Sequence, residues 1–203
     1  MNKKKSKLKI DANLAIAIGV LIASFGALFV SMKQASIMNE QTKILIEQSK
    51  SNAWPSLSIG MMRNIQTDGL KKFNFQIVNR GTGPAVIEQT IITYDGNAFN
   101  NWNDFYKLIK VPDSISIGHG NDILFNRIIS PNENFNLVDW SNNKDLMQYI
   151  YERADKITIE ICYRSVYDDY WKVKRTGLKN NLEKNLIEKT SFCDQSNQIY
   201  FQE

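Results

Sequence analysis

The chain has 203 residues, 43% of them hydrophobic and 23% charged, which leaves room for one ordinary domain and an appendage. Its formal charge of +4 is unevenly placed: Lys3, Lys4, Lys5, Lys7 and Lys9 crowd the amino end, and from residue 34 onward 19 basic residues meet 20 acidic ones. That excludes a general nucleic-acid surface; ten Gly and four Pro exclude a collagenous or low-complexity chain, and one His with two Cys excludes a His-rich metal centre or a multi-disulfide scaffold.

Residues 12–32 read ANLAIAIGVLIASFGALFVSM, 21 positions without a charge. At 1.5 Å per residue a helix of that length covers about 31 Å, close to the hydrocarbon thickness of a bilayer. Asn13, Ser24 and Ser31 sit near the ends or can bond back to their own helix. Gly19 and Gly26 are seven apart and do not make a GxxxG pairing motif. A cleaved signal peptide has a shorter apolar run followed by a small-x-small site, and none follows here. A buried globular helix is rarely so uniformly apolar beside a lysine block. The expectation is an uncleaved, single-pass signal-anchor. Five lysines precede it, while Lys33, Lys43 and Lys50 follow, so the positive-inside bias favours a cytoplasmic tail over residues 1–11. The C-terminal domain is then periplasmic or extracellular, tethered to the inner (cytoplasmic) membrane.

Residues 33–53 are rich in helix formers and contain no Gly or Pro. Ile37 and Ile44 are seven apart, as are Met38 and Leu45, and Glu40, Lys43, Glu47 and Lys50 occupy other faces. The pattern predicts a helical stalk. The narrow seam also allows a weak homodimer, although only about two heptads fit.

Trp54-Pro55 ends that helix, because Pro disfavours α geometry in the residue before it. Beyond it the period changes to two. Phe73, Phe75 and Ile77 alternate with more polar neighbours, as do Ile157, Ile159, Ile161 and Tyr163, and then Trp171 and Val173. Residues 56–62, 85–94, 122–129 and 133–138 are further strand candidates. Turn signals separate them: Asn79-Arg80-Gly81-Thr82-Gly83-Pro84, Asp95-Gly96, Gly118-His119-Gly120 and Ser130-Pro131. Helical spacing marks residues 100–110, with Asn100 or Asn101 as N-cap, and residues 143–154, after Ser141 and Asn142. A weaker helical pattern, carried by Leu182 and Leu186, covers residues 178–189. The fold expected for residues 54–203 is mainly β: an immunoglobulin-like β-sandwich of about seven strands with two short inserted helices.

By alternation Cys162 lies on the polar face of its strand with Glu160 and Arg164, and Cys193 lies in a tail, residues 190–201, that lacks a core face of its own. In a translocated domain the simplest reading is a Cys162–Cys193 disulfide pinning the tail to the sheet. Two unrelated thiols are the alternative if the domain faces the cytoplasm. A catalytic cysteine would need His119 as its base, and no sequence link joins them.

Familiar catalytic and cofactor motifs are missing, and neither a catalytic site, a metal site nor a cofactor is expected. Asp168-Asp169 reads as a hairpin turn in preference to an acid/base pair. Asn79-x-Gly81-x-Gly83 joins two strands and opens no helix, so it reads as a tight turn that uses glycine's permissive dihedrals, not as a phosphate loop. Most aromatic residues are expected in the core. Tyr167 and Tyr170, beside a turn, are the candidate partner contacts.

The lysine-led anchor, the short polar helix, Trp54-Pro55, the Phe73-Asn74-Phe75 strand leading into Asn79-Arg80-Gly81-Thr82-Gly83-Pro84-Ala85, and Tyr94-Asp95-Gly96 together resemble a group of uncharacterised bacterial proteins. These are small, single-pass and membrane-anchored, with a β-rich extracytoplasmic domain. Members often carry further cysteines near the Cys162 strand and before the tryptophan that follows; this chain has Arg164 and Tyr170 there. The resemblance implies location and fold, and no activity. The expected role is a non-catalytic binding or sensing module that meets a protein or envelope component outside the membrane. The rival readings are an effector acting through self-association of its transmembrane helix, and a hydrolase built on Asp168 and Asp169.

Overall fold

The computed structural model describes residues 11–177, 185–194 and 199–203; the basic tail up to residue 10 and the first part of the 178–189 segment lie outside the described residues. The chain forms two compact units, dividing between Ser49 and Lys50.

The first unit is helical. Helix α1 runs unbroken over Ala12–Asn52, 41 residues, none of them buried against the rest of the chain. It is long and apolar enough to cross a membrane. Two of its hydroxyls bond back to the preceding turn: Ser24 Oγ donates to the Val20 carbonyl at 2.8 Å and Thr42 Oγ1 to that of Met38 at 2.9 Å. The helix stops one turn before Pro55, as the sequence requires.

The second unit is mostly antiparallel β-structure in two sheets. Strands β1 (Leu57–Gln66), β2 (Gly69–Asn79) and β6 (Asn134–Asp139) form the smaller, in the order β1-β2-β6. The larger runs β4-β3-β7-β8-β9, with β5 also on β3. Its members are β3 (Ala85–Tyr94), β4 (Asn97–Ala98), β5 (Ile128–Ile129), β7 (Ile157–Arg164), β8 (Tyr170–Thr176) and β9 (Leu186–Thr190). Helices α2 (Trp102–Leu108) and α3 (Lys144–Tyr151) interrupt the strands. A mainly β domain behind a long apolar helix is thus what the structure has.

One core serves both sheets. Leu57 and Ile59 of β1, Phe73, Phe75 and Ile77 of β2, and Phe135 and Leu137 of β6 are buried with Ile157, Ile159, Ile161 and Tyr163 of β7 and Val173 of β8. Hydrogen bonds cross between the sheets at the free edge of β1: Leu57 N–H donates to Tyr163 Oη at 3.3 Å, and Arg175 Nη1 donates to the Ile59 carbonyl at 2.8 Å. Burial pushes the Tyr163 phenol up to about 12, partly offset by the bond from the Leu57 amide. An aromatic group fills the end of the core near the helices. Trp102 packs against Phe201 at 5.0 Å and Trp140 at 5.4 Å between ring centroids, and Trp140 Nε1 donates to Tyr106 Oη at 2.9 Å.

Several boundaries differ from expectation for identifiable reasons. Of residues 122–129 only Ile128–Ile129 pair, with Ala85–Val86; Asn126 at φ +55° turns the chain out of strand geometry. Residues 186–190 are strand, not helix, because β8 presents an open edge on which Glu188 lies opposite Lys172. Strand β1 runs to Gln66 and turns at Gly69, φ +112°, a hairpin that the sequence reading passed over. Asn101 caps α2 as expected, through a 2.8 Å bond from Asp104 N–H, whereas α3 is capped by Asn143, one residue beyond the expected pair. Asp95 and Gly96 both have positive φ, 51° and 83°, as a two-residue hairpin between β3 and β4 needs.

The Cys162–Cys193 disulfide is formed, with Cα atoms 5.8 Å apart. Alternation places Cys162 off the core face correctly, yet it is buried, because the tail that it holds covers it. Reduction, or replacement of both cysteines by Ala, is expected to lower the unfolding free energy by about 3–4 kcal/mol, the chain-entropy value for such a loop. Denaturant titration with and without reductant measures it.

Candidate functional site

Three features distinguish the second unit: the place where the incoming chain is gripped, the β7–β8 turn, and a groove beneath the C-terminal tail.

The grip is built on Asn79, the last residue of β2 and wholly buried. Its Oδ1 accepts the Ser56 amide at 3.1 Å and the Gly81 amide at 3.0 Å, and its Nδ2 donates to the carbonyls of Gly83 at 2.8 Å and Ile129 at 3.0 Å. The following loop lies directly on the segment leading from α1 into β1. Thr82 and Gly83 N–H donate to the Trp54 carbonyl, at 2.9 and 3.2 Å, and Arg80 N–H to that of Ser56 at 2.8 Å. A Cβ on Gly81 would stand 2.3 Å from the Trp54 carbonyl oxygen, and one on Gly83 would stand 2.0 Å from that of Ala53. Neither glycine has positive φ. The expectation of permissive dihedrals is therefore corrected: the loop needs glycine because two backbones touch there. It joins β2 to β3 and opens no helix.

The β7–β8 turn carries Val166, Tyr167 and Asp168. Tyr167 is 40% exposed, whereas Tyr170 opens β8 half-buried, opposite Arg164 and Thr190. Asp168, at φ +58°, accepts from Arg164 Nη1 at 3.0 Å, and Arg164 also pairs with Glu88 at 2.6 Å. Asp169 is 3.0 Å from Lys189 Nζ and 3.8 Å from Lys50 Nζ. Both carboxylates are thus engaged in ion pairs around a turn. Among the described residues no group of three His, Cys, Asp or Glu side chains could hold a metal ion.

Described residues of the tail bond to β3 and to the start of α2. Gln89 Nε2 donates to the Asp194 carbonyl at 2.7 Å, Phe201 N–H to that of Thr90 at 2.9 Å, and Gln202 N–H to that of Asn100 at 2.9 Å. The last residue, Glu203, accepts the Trp102 amide on its carboxylate at 2.9 Å, at the start of α2. Phe201 is buried, which gives the tail the core contact that the sequence reading denied it. Between tail, β3 and residues 125–126 lies a groove of about 360 Å³, walled by Phe125 and Tyr200 and lined by Gln89, Thr90 and Asn126. Three distant segments make it, so it has no local pattern in the sequence.

His119 is half-buried against Trp102 and Tyr106, at 6.4 and 5.5 Å between ring centroids, and neither contact is a cysteine. No protein family matches this chain, and neither does any curated protein or solved structure.

Two predictions follow from these contacts. Gly83→Ala is expected to destabilise the domain by about 3 kcal/mol through overpacking. Gly60→Ala, whose Cβ would meet only the Gln76 carbonyl at 3.8 Å, is expected to change stability by less than about 1 kcal/mol. Thermal or denaturant melts distinguish the two. Burial, partly offset by Glu203, holds the His119 imidazole below its ordinary 6.5. The folded chain then binds fewer protons than the unfolded one between those two values. The stability involved is present above pH 6.5 and lost as pH falls through the folded value. His119→Gln should flatten that part of the stability–pH curve, measured by denaturation at successive pH values.

Proposed function

We propose that this protein is a non-catalytic, membrane-anchored binding or sensing module that presents an immunoglobulin-like sandwich outside the cytoplasmic membrane. The observation that carries the reading is the pairing of an apolar helix, none of whose 41 residues is buried, with a disulfide in the domain that follows it. Residues 12–32 would span the bilayer and residues 33–52 would serve as the stalk. Disulfides persist in oxidising compartments, which agrees with the lysine bias for a cytoplasmic amino end. The resemblance to small anchored bacterial proteins supports the same placement. The ion pairs of Asp168 and Asp169 favour a structural role for both over acid/base work.

A second reading has one observation in its favour. Ile37, Met38, Ile44 and Leu45 are all exposed on α1, so a seam for a second copy is open and self-association through the helix could transmit the activity.

The test combines extraction and accessibility. The full-length protein is expected to stay in the membrane pellet through alkaline carbonate washing, and its C-terminal domain should be digested by protease added outside intact protoplasts or spheroplasts. Release into the carbonate supernatant, or protection of the domain until the membrane is breached, would overturn the reading. Exchanging residues 12–32 for an unrelated apolar helix together with replacing Ile37, Met38, Ile44 and Leu45 by Ala should leave function intact under the first reading and abolish it under the second.

A further inference from the structure

We propose that the groove beneath the tail is a binding site for a neutral saccharide, an inference that gives a ligand class to the binding module proposed above and rests on that reading. Its volume, about 360 Å³, falls at the lower end of the range for small-ligand sites and suits one or two pyranose rings. The lining decides the chemistry. Phe125 is 54% exposed and offers an apolar ring as one wall. Tyr200 forms part of the lining, with its hydroxyl fixed by donation to the Asp194 carbonyl at 3.3 Å. The Asn126 and Gln202 side-chain amides and the Gln89 and Thr90 positions of β3 complete the lining.

Charge excludes the anionic alternatives. Among the described residues of the lining the one ionic side chain is Glu88, which repels phosphates and is itself held by Arg164 at 2.6 Å. The β3 edge excludes an added peptide strand. Ile87 N–H already donates to the Arg127 carbonyl at 2.9 Å, and the Thr90 carbonyl accepts Phe201 N–H at 2.9 Å, so only two residues of edge lie between. What remains is a compact, uncharged molecule with apolar C–H faces for the rings and hydroxyls or an acetamido group for the amides. A pyranose ring has that combination.

The experiment uses full-length protein in lipid nanodiscs, because sugar-headed detergents would compete. Diacetylchitobiose and maltose are titrated at millimolar concentration with saturation-transfer NMR, beside inorganic phosphate and a neutral apolar peptide. At least one saccharide should bind and phosphate should not. Phe125→Ala and Asn126→Gly should each weaken it about tenfold with unchanged melting temperature; Gly keeps the positive φ of Asn126, and Trp54→Ala serves as a distant control. Absence of saturation transfer to both sugars, preference for the peptide or phosphate, or binding indifferent to both groove variants would overturn the proposal. Any of these results would leave the anchored-module reading standing, since membrane extraction and topology decide that separately.

Discussion

Four hydrogen bonds to one buried amide hold together parts of the chain that would otherwise have little reason to meet. Asn79 Oδ1 and Nδ2 reach Ser56, Gly81, Gly83 and Ile129, using both donors and both acceptor positions of the side chain. Through them the end of β2, the start of β3, the short β5 and the segment entering β1 are fixed at one point. An amide buried without those partners would cost about 1–3 kcal/mol for each group left unmet, so the site is stable only when complete. The glycines make completion possible, since two backbones can approach within contact only where no Cβ intervenes. The second unit therefore does not begin at β1. It includes the residues that deliver the chain to it.

The C-terminal tail closes the other side of the larger sheet by different means. A disulfide, main-chain bonds to Thr90 and Asn100, one buried phenyl ring and the Glu203 side-chain carboxylate at the start of α2 each contribute a modest amount. Together they turn a polar segment into part of the domain and create the groove between it and β3. Grip and groove are both products of segments remote in sequence converging on a sheet edge.

How much of this was legible follows from what each feature writes into the sequence. The alternation in residues 73–78, 157–164 and 171–174 is plain because each strand buries one face, and both Asn caps precede an amphipathic turn. The disulfide could be read from two cysteines and the expectation of a translocated domain. Alternation shows on which side Cys162 lies and says nothing about whether that side is covered. Phe201 is a single aromatic residue in a polar tail and carries no period at all. Residues 122–127 hold Ile123, Leu124 and Phe125, three apolar side chains in a row, yet only Leu124 is buried. Leu182 and Leu186, four apart, suggested a helix for a stretch whose end is recruited as strand by the open edge of β8. Gly81 and Gly83 were conspicuous, but a glycine required for contact looks the same as one required for a left-handed turn. Only the neighbouring backbone tells them apart.

The central claim is that the residues entering β1 are an integral part of the folded domain. Native-state hydrogen exchange of the full-length protein examines this directly at the amides of Ser56, Gly81, Thr82 and Gly83. The account predicts exchange as slow as that of the β7 amides, opening only with the whole domain. Exchange as fast as that of the exposed turn at residues 67–68 would show the loop and the incoming chain to be loosely apposed, and would contradict it.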